Sequence, residues 1–324
     1  MRRLEFDTYG PPEVLRLREV LAPELGVGEV LIQVRATAIN PSDVKNVAGH
    51  FNTALPRVPG RDFAGVITAI GPSSEASADT VFAGLEVWGS GPGFGVVRDG
   101  AHGEYIVMPS EWVSAKPAAL TMEQAASVGV PYVTAWSALV RAGDLQAGET
   151  LLVVGVSGAV GRAATQIAHW RGARVIGAAT STRNPSGADA VISTVDTELD
   201  QEVRLLTDGK GVDLVLDAVG GRLFEQSLKS LRQGGRQVAI TSFGDRRVSF
   251  DLIDFYRNRS RLLGVNTMAL SGPETASILE DLRGGFEGGH LVPPEIVTWP
   301  LDQAVQAYAA STQSGSRAKH ILIP

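Results

Sequence analysis

Two hydrophobic patterns divide the chain into a strand-rich part and a part in which strands and helices alternate. In the first third, runs of apolar and β-branched residues are short and end at Gly or Pro, which is typical of β-strands. The predicted strands there are Glu29–Ala36, Asp62–Gly71 and Glu104–Met108. Short strands separated by such turns indicate a small twisted barrel or sandwich.

The pattern changes at Thr121. Thr121 and Gln124 have the spacing of a capping box, and apolar residues follow at helical spacing over 125–141, with an interruption predicted at Pro131. From Thr150 onward, apolar runs alternate with helical segments. The predicted strands are Leu151–Val154, Arg174–Ala178, Ala190–Ile192, Asp213–Asp217 and Gln237–Thr241, and the predicted helices are Gly161–Arg171, Glu198–Leu206 and Leu223–Leu231. This alternation predicts a parallel, doubly wound α/β sheet.

The alternation stops near residue 265, and the chain ends in another apolar strand, Ala318–Ile323. We therefore expect residues 1–124 and 266–324 to form one β-rich domain from both ends of the chain. Residues 125–265 are expected to form the doubly wound domain, inserted between them.

A glycine loop joins the first strand of the alternating part to its first helix. Leu151–Val154 runs into a Gly-x-x-Gly-x-x-Gly loop, with Val156 where the usual fingerprint begins with Gly. In this strand–loop–helix context, Gly158 lets the backbone approach a pyrophosphate and Gly161 lets the helix pack close to the sheet. The loop predicts a Rossmann dinucleotide site, and the alternative is an ordinary tight turn. The predicted cofactor contacts in the loop are Gly155, Ser157, Gly158, Ala159, Val160 and Gly161.

The residues after the second strand of this domain favour NADPH over NADH. An NAD site usually has Asp or Glu there, about 20 residues beyond the glycines, to bind the ribose 2′-hydroxyl. This chain instead has Thr180, Ser181 and Arg183, with no acid between positions 177 and 183. Hydroxyls and an Arg can bind a 2′-phosphate, which an acid would repel. The alternative is a solvated loop that happens to carry an Arg.

Composition and charge narrow the function classes. The 324 residues include no Cys, which excludes disulfides, thiolate catalysis, iron–sulfur clusters and Cys-ligated zinc. The His residues lie without ligand spacing, so surface or loop positions are expected for them and no metal site is predicted; they are His50, His102, His169, His290 and His320.

The charge balance and the lack of long apolar runs also bear on location and partners. With 29 Lys+Arg against 35 Asp+Glu, the net charge is −6, so neither nucleic acid nor an anionic membrane is expected as a partner. No apolar stretch reaches the length of a membrane span, and the first residues lack the apolar run of a signal peptide. We therefore expect a cytoplasmic protein.

Short motifs along the whole chain carry a resemblance to a known family. The motifs are Asn40-Pro41-Ser42-Asp43, Pro59-Gly60-Arg61-Asp62-Phe63-Ala64-Gly65, Gly103-Glu104-Tyr105, Pro131-Tyr132-Val133-Thr134-Ala135-Trp136, the glycine loop, the segment 211–221 and Gly234-Gly235-Arg236. Together they resemble the medium-chain dehydrogenase/reductases, and among them the zinc-independent quinone oxidoreductases of the zeta-crystallin type. The resemblance implies a GroES-like catalytic domain, a Rossmann domain and NADPH.

The family also implies a homodimer, in which the last strands of two Rossmann sheets meet at a twofold axis. The apolar segment 261–266 is the candidate edge strand here, since an exposed edge otherwise invites aggregation. The alternative is an edge covered by the chain's own C-terminal segment.

The resemblance implies candidate catalytic residues near the first motif. In the family, the position of Asn40 lies beside the nicotinamide and the substrate, and its amide can donate to a carbonyl oxygen as negative charge develops there. The alternative is a turn residue before Pro41. Asp43 and Lys45 either orient Asn40 or form a surface pair.

Three further residues are implied as neighbours of the cofactor. Thr134 matches a threonine near the nicotinamide ribose, although a hydroxyl can also bond within its own helix. Val219 and Thr241 are expected to contact the cofactor from the ends of later strands.

The sequence departs from the family pattern at several positions. The zinc enzymes of the family have Cys at the position of Asn40 and Gly-His-Glu at 60–62, and here both Cys and His are absent. Phe51 replaces a Tyr of related enoyl thioester reductases and several quinone reductases, which removes a proton donor. The short stretch 183–189 replaces a helix, and Thr194 replaces a Tyr that contacts the cofactor.

These observations predict an NADPH-dependent reductase that transfers hydride to a quinone or an α,β-unsaturated carbonyl without zinc. Two alternatives remain open at this point. One is an enoyl or ketone reductase of a biosynthetic pathway, and the other is a protein that binds NADPH without turnover.

Overall fold

The structure is a computed structural model that describes residues 1–72, 81–91, 93–182, 186–195, 197–313 and 318–324. The described strands are β1 (Arg2–Glu5), β2 (Arg16–Glu19), β3 (Glu29–Ala38), β4 (Asp62–Ile70), β5 (Glu86–Ser90), β6 (Tyr105–Pro109), β7 (Ser114–Ala115), β8 (Thr150–Val154), β9 (Arg174–Ala179), β10 (Ala190–Ser193), β11 (Val212–Asp217), β12 (Leu231–Ala239), β13 (Arg261–Gly264), β14 (Ile296–Pro300) and β15 (Lys319–Ile323). The described α-helices are α1 (Pro41–Val47), α2 (Met122–Ser127), α3 (Gly129–Trp136), α4 (Ala159–Trp170), α5 (Leu199–Leu206), α6 (Phe224–Lys229), α7 (Leu252–Arg257), α8 (Gly272–Glu287) and α9 (Ala304–Ser311). A π-helix, Ser137–Ala142, continues α3.

The hydrophobic pattern predicted the strands and helices well but misplaced one break. The capping box is confirmed, because Gln124 N–H donates to Thr121 Oγ1 at 3.2 Å and Thr121 N–H donates to Gln124 Oε1 at 3.0 Å. The interruption predicted at Pro131 is wrong, since α2 ends at Ser127 and α3 begins at Gly129. Pro131 lies in the first turn of α3, where a missing N–H costs no intrahelical hydrogen bond.

The chain forms two compact units, Pro131–Thr267 and the remainder, Met1–Val130 with Met268–Pro324. None of the described helices is long and apolar enough to span a membrane.

The unit Pro131–Thr267 contains a parallel sheet whose described strands have the order β10-β9-β8-β11-β12-β13. Its central strand β8 is buried from Leu151 to Val154, as expected for a parallel strand covered on both faces. The strand order reverses between β8 and β11, which is where doubly wound folds bind nucleotides.

The other unit is built on a mixed sheet with the described order β14-β15-β3-β4-β5-β7, and β6 also pairs with β3. One apolar cluster, which includes Val30, Ile32, Phe63 and Ile67, lies under β3 and β4. The last strand, β15, pairs antiparallel with the end of β3, with Ile321 opposite Ala38. The pairing continues past β3, because Ile39 N–H donates to His320 O at 3.0 Å. This register brings the start of β15 beside Asn40, the residue between β3 and α1.

Candidate active site

Asn40 lies at the junction of β3 and α1, and the adjacent turn holds its backbone. Asn40 N–H donates to Asp43 Oδ2 at 2.8 Å. Asp43 is buried, with 2% of its surface exposed. Burial raises the pKa of Asp43 to about 6, against the opposing effects of the Asn40 N–H and the Arg61 charge. The carboxyl of Asp43 therefore fixes the backbone of Asn40 from inside the protein.

The side-chain amide of Asn40 is held at both ends by charged groups. Asn40 Nδ2 donates to Asp62 Oδ2 at 2.9 Å, and Lys319 Nζ donates to Asn40 Oδ1. An ammonium has no acceptor and an ionised carboxylate has no donor, so these partners fix which end of the amide is oxygen and which is nitrogen. The second Nδ2–H finds no acceptor within the described part of the chain. A buried donor without a partner is costly, and such a group is usually retained to bind a ligand.

Asp62 is anchored by the backbone at the start of α3. Val130 N–H lies 3.0 Å from Asp62 Oδ1 and 2.9 Å from Oδ2. Gly129 is required beside it, because a Cβ there would lie 2.5 Å from Asp62 Cγ. The N–H groups of Val130 and Asn40 thus fix the orientation of the carboxylate.

A buried Tyr–His pair lies against Ala38, the last residue of β3. His102 Nδ1 lies 2.9 Å from Tyr308 OH, and His102 Nε2 lies 3.2 Å from Ala38 O. A carbonyl only accepts, so Nε2 carries the proton and Nδ1 accepts from the tyrosine. Burial lowers the pKa of His102 to about 4, which keeps the ring neutral. The expectation that every His is a surface or loop residue is wrong for His320, which lies buried on β15. His102 does lie in a loop, but it is fully buried there.

The donor set around Asn40 does not fit the zinc ion that the wider family uses. The chain has no Cys, the buried Arg61 stands where those enzymes have His, and Asp62 is committed to two N–H donors. Within the described ranges, no cluster of three or more His, Cys, Asp or Glu side chains is arranged to hold a metal. Zn²⁺ prefers Cys and His ligands in a tetrahedral set, and a guanidinium at such a position would repel it.

The glycine loop has the geometry of a nucleotide cradle at the point where the strand order reverses. Gly155 has a φ of +87°, which favours glycine. Val156 is buried, and the three residues after it are exposed, so they can face a ligand; they are Ser157, Gly158 and Ala159. Gly158 is the N-cap of α4, so the first N–H groups of that helix face the loop without intrahelical acceptors. The loop fits a dinucleotide pyrophosphate, whose charge the N–H groups and the helix dipole would stabilise.

The neighbouring strand ends supply the remaining predicted cofactor residues. Val219 borders the loop, since a Cβ on Gly155 would lie 3.0 Å from Val219 Cγ2. The turn at Val219 is ordered by buried Asp217, whose Oδ1 accepts from Val219 N–H at 3.0 Å and Gly220 N–H at 2.7 Å. Burial raises the pKa of Asp217. Thr241 lies just after the end of β12.

Other predicted cofactor positions lie after β9, after β10 and on α3. Thr180 and Ser181 are exposed after β9, and Arg183 lies outside the described residues. Thr194 is buried after β10, where its carbonyl accepts from Arg222 Nη2 at 3.0 Å. Thr134 is on α3, with Oγ1 3.4 Å from Thr267 Oγ1.

Sequence reasoning missed Lys319, Asp62 as the partner of Asn40, and Arg222. The one local signal was a Lys near the start of the predicted last strand, 318–323, which ends in three apolar residues. Nothing in that segment indicates which residue its ammonium meets, because the partner lies 279 residues away in the chain.

Comparisons with known proteins match this architecture. Residues 26–118 match the alcohol dehydrogenase GroES-like domain, and residues 159–281 match the zinc-binding dehydrogenase family. The quinone oxidoreductase of Rattus norvegicus is 30% identical over 334 aligned positions, which cover 100% of this chain and 98% of the relative. A zinc-type alcohol dehydrogenase-like protein of Schizosaccharomyces pombe is 36% identical over 280, covering 85% of this chain and 81% of the relative. The chain belongs to the quinone oxidoreductase family of medium-chain dehydrogenase/reductases.

Solved structures with the same fold cover 99–100% of the chain. A mycobacterial quinone oxidoreductase has a TM-score of 0.90 at 26% identity, with 100% of both chains covered. A mycobacterial structure complexed with NADPH has a TM-score of 0.86 at 26% identity, again covering 100% of both. The JamJ enoyl reductase has a TM-score of 0.83 at 25% identity, covering 99% of this chain and 98% of that one. The predicted GroES-like and Rossmann fold is confirmed, and the chain is an oxidoreductase.

Proposed function

We propose that this member of the quinone oxidoreductase family is an NADPH-dependent reductase of quinones or α,β-unsaturated carbonyls that works without zinc. The observation that carries the proposal is the Asn40 amide, which Lys319 and Asp62 hold at both ends while one N–H stays available. Only 1% of Asn40 is exposed, so bulk water does not weaken a hydrogen bond made by that N–H. A fixed donor of this kind stabilises negative charge that develops on a substrate oxygen during hydride transfer.

The cofactor half of the proposal rests on the glycine loop and on the residues after β9. NADPH supplies the hydride when it is bound. Backbone N–H groups at Gly158–Gly161 would hold the pyrophosphate, and Thr180, Ser181 and Arg183 would bind the 2′-phosphate. The absence of an acid from 177 to 183 supports NADPH over NADH, and the NADPH complex of a structural neighbour is consistent with it. A charge-assisted contact contributes about 1.5–3 kcal/mol, so NADPH should bind one to two decades more tightly, and Arg183→Ala should remove most of that preference.

Phe51 favours quinones and free enones over enoyl thioesters. The JamJ enoyl reductase shares this fold, so an enoyl reductase of a biosynthetic pathway is the second candidate. Phe51 follows α1 and its side chain has no proton to donate. A reduced quinone anion takes its proton readily from water, whereas an enoyl thioester gains more from a positioned acid.

The test measures NADPH and NADH oxidation by the purified protein with quinones, enals, enones and enoyl thioesters. Asn40→Ala should lower kcat by about 10²-fold or more, as loss of an oxyanion donor does elsewhere, while NADPH affinity stays near that of the unmodified protein. Asn46→Ala is the matched control. Asn46 is equally buried in α1, the helix that Asn40 precedes, and its Nδ2 donates to Gly95 O at 2.5 Å, so this variant should lose stability but keep kcat.

Three outcomes would contradict parts of the proposal. No turnover of any acceptor, with NADPH still bound, would leave a cofactor-binding protein without catalysis. An unchanged rate in Asn40→Ala would reduce Asn40 to a turn former before Pro41. A large rise in turnover of Phe51→Tyr with enoyl thioesters, and with no other acceptor, would favour the enoyl reductase.

A further inference from the structure

Lys319 places a buried ammonium at the start of a strand whose last three residues are apolar. It is the first residue of β15, and only 9% of it is exposed. A lysine is almost never buried to this degree unless it is paired, because its charge loses the solvation of water. The structure must therefore compensate this charge with groups of the same unit.

The compensating groups surround Asn40. Lys319 Nζ donates to Asn40 Oδ1, and the Lys319 charge also acts on the buried carboxyl of Asp43 by lowering its pKa. The same cluster contains the carboxylate of Asp62, which receives Asn40 Nδ2, and the buried guanidinium of Arg61. Lys319 and Asp62 thus contact the side-chain amide itself, whereas Asp43 bonds the backbone N–H of Asn40 and the Arg61 charge acts on Asp43.

The bond from Lys319 has two consequences for the amide. It prevents rotation about the last side-chain torsion of Asn40, because reversing the amide would turn an NH₂ group toward the ammonium and the oxygen toward Asp62. It also draws electrons toward Oδ1, which makes the Nδ2–H groups better donors, as neighbouring hydrogen bonds in a chain strengthen one another.

We propose that Lys319 is a positioning residue for hydride transfer, which orients Asn40 and strengthens its free N–H through Oδ1. This inference rests on the proposed function, in which Asn40 binds the substrate oxygen. The competing role is purely structural, with Lys319 balancing the charges of Asp43 and Asp62 and contributing only to stability. The two roles differ in their coupling to Asn40, since a positioning residue can act on turnover only while Asn40 is present.

The test is a double-mutant cycle on kcat with the best acceptor, using Asn40→Ala, Lys319→Met and the double variant. Methionine keeps most of the apolar stem of lysine but removes the charge and the donors. Lys319→Met should lower kcat by about tenfold, with the KM for NADPH nearly unchanged, and the double variant should be no slower than Asn40→Ala alone. Lys319→Arg keeps a charged donor and should recover most of the lost rate.

Lys116→Met is the matched control for loss of a buried lysine. The Lys116 side chain is 6% exposed in the same unit, and it pairs with Glu86 at 3.2 Å. This variant should lose thermal stability but keep kcat. If Lys319→Met does not fold, the cycle is run with Lys319→Gln, which removes the positive charge, so kcat should still fall and the same comparison with Asn40→Ala applies.

The outcomes separate this inference from the proposed function. Loss of rate in Asn40→Ala tests the function by itself. Suppose that loss occurs. If Lys319→Met then keeps kcat within about twofold, Lys319 has no positioning role. The same holds if Lys319→Met lowers kcat of the Asn40→Ala variant by the same factor as it lowers kcat of the unmodified protein. A loss in Lys319→Met alongside an unchanged Asn40→Ala would likewise overturn the inference, because Lys319 would then act through another group.

Discussion

Two glycines of the nucleotide loop, Gly158 and Gly161, should respond to the same substitution in opposite ways. A Cβ on Gly161 would overlap Gly155 O and would lie 2.6 Å from Val156 Cα and 2.7 Å from Val156 O. All three atoms belong to the backbone, so no side chain can rotate away and α4 must move off the sheet. A Cβ on Gly158 would meet only Gly155 O, at 3.3 Å, and its φ of −73° and ψ of 169° suit any residue.

The expected cost of Gly161→Ala follows from these contacts. Overpacking costs about 1–3 kcal/mol and sometimes more, and the better helix propensity of Ala returns about 1 kcal/mol. The three backbone contacts place Gly161 at the upper end of the overpacking range, so the net loss should be about 2 kcal/mol. A loss of that size lowers the melting temperature of a domain of this size by about 4–8 °C. Gly158→Ala should melt within about 2 °C of the unmodified protein, since it changes only an N-cap of α4.

Cofactor binding should show the reverse order. A methyl on exposed Gly158 occupies the space that a pyrophosphate needs in order to reach the N–H groups of the helix. Loss of those charge-assisted bonds should weaken NADPH binding by one to two decades. The assays are thermal unfolding without cofactor and a fluorescence titration with NADPH. Unfolding of Gly161→Ala at the temperature of the unmodified protein, or unchanged NADPH affinity in Gly158→Ala, would refute these assignments.

Three further predictions concern acid stability, metal content and assembly. The pKa of His102 is lowered to about 4, so burial of the neutral ring contributes stability that is present above pH 6.5, and about 3 kcal/mol of it is lost as the pH falls to 4. The pKa of Asp43 is raised to about 6, so its protonation over a similar pH range removes a buried charge and raises stability. Urea unfolding of Asp43→Asn should therefore show a steeper loss of stability between pH 6.5 and 4, and His102→Gln should show a shallower one; equal slopes in both variants would contradict these assignments. Elemental analysis should find no stoichiometric zinc, and zinc that restores activity after chelation would refute this. Light scattering at micromolar concentration should give the mass of a dimer joined through β13, where Leu262 is 41% exposed, and Leu262→Glu should give a monomer; a monomeric mass before substitution would count against that interface.

Local patterns in the sequence determined the elements and much of the chemistry. The buried run Leu151–Val154, the glycines after it and the capping box at Thr121 all act within one or two turns of chain, so short-range spacing specifies them. The absence of Cys is by itself enough to exclude the Cys-ligated zinc site of the wider family. The resemblance added the GroES-like and Rossmann architecture, which the structure confirms.

Tertiary structure decided what each polar residue does. The pattern around Asn40 is equally compatible with a turn former, and His102 lies in a Gly-rich segment that reads as a loop. Only the pairing of β15 with β3, with Ile321 opposite Ala38, brings Lys319 to Asn40. Hydrophobic periodicity records which face of a strand is buried, but it does not record which strand lies beside it. Sheet register is set by the packing of the whole unit, so contacts between distant parts of the chain appear only in the folded protein.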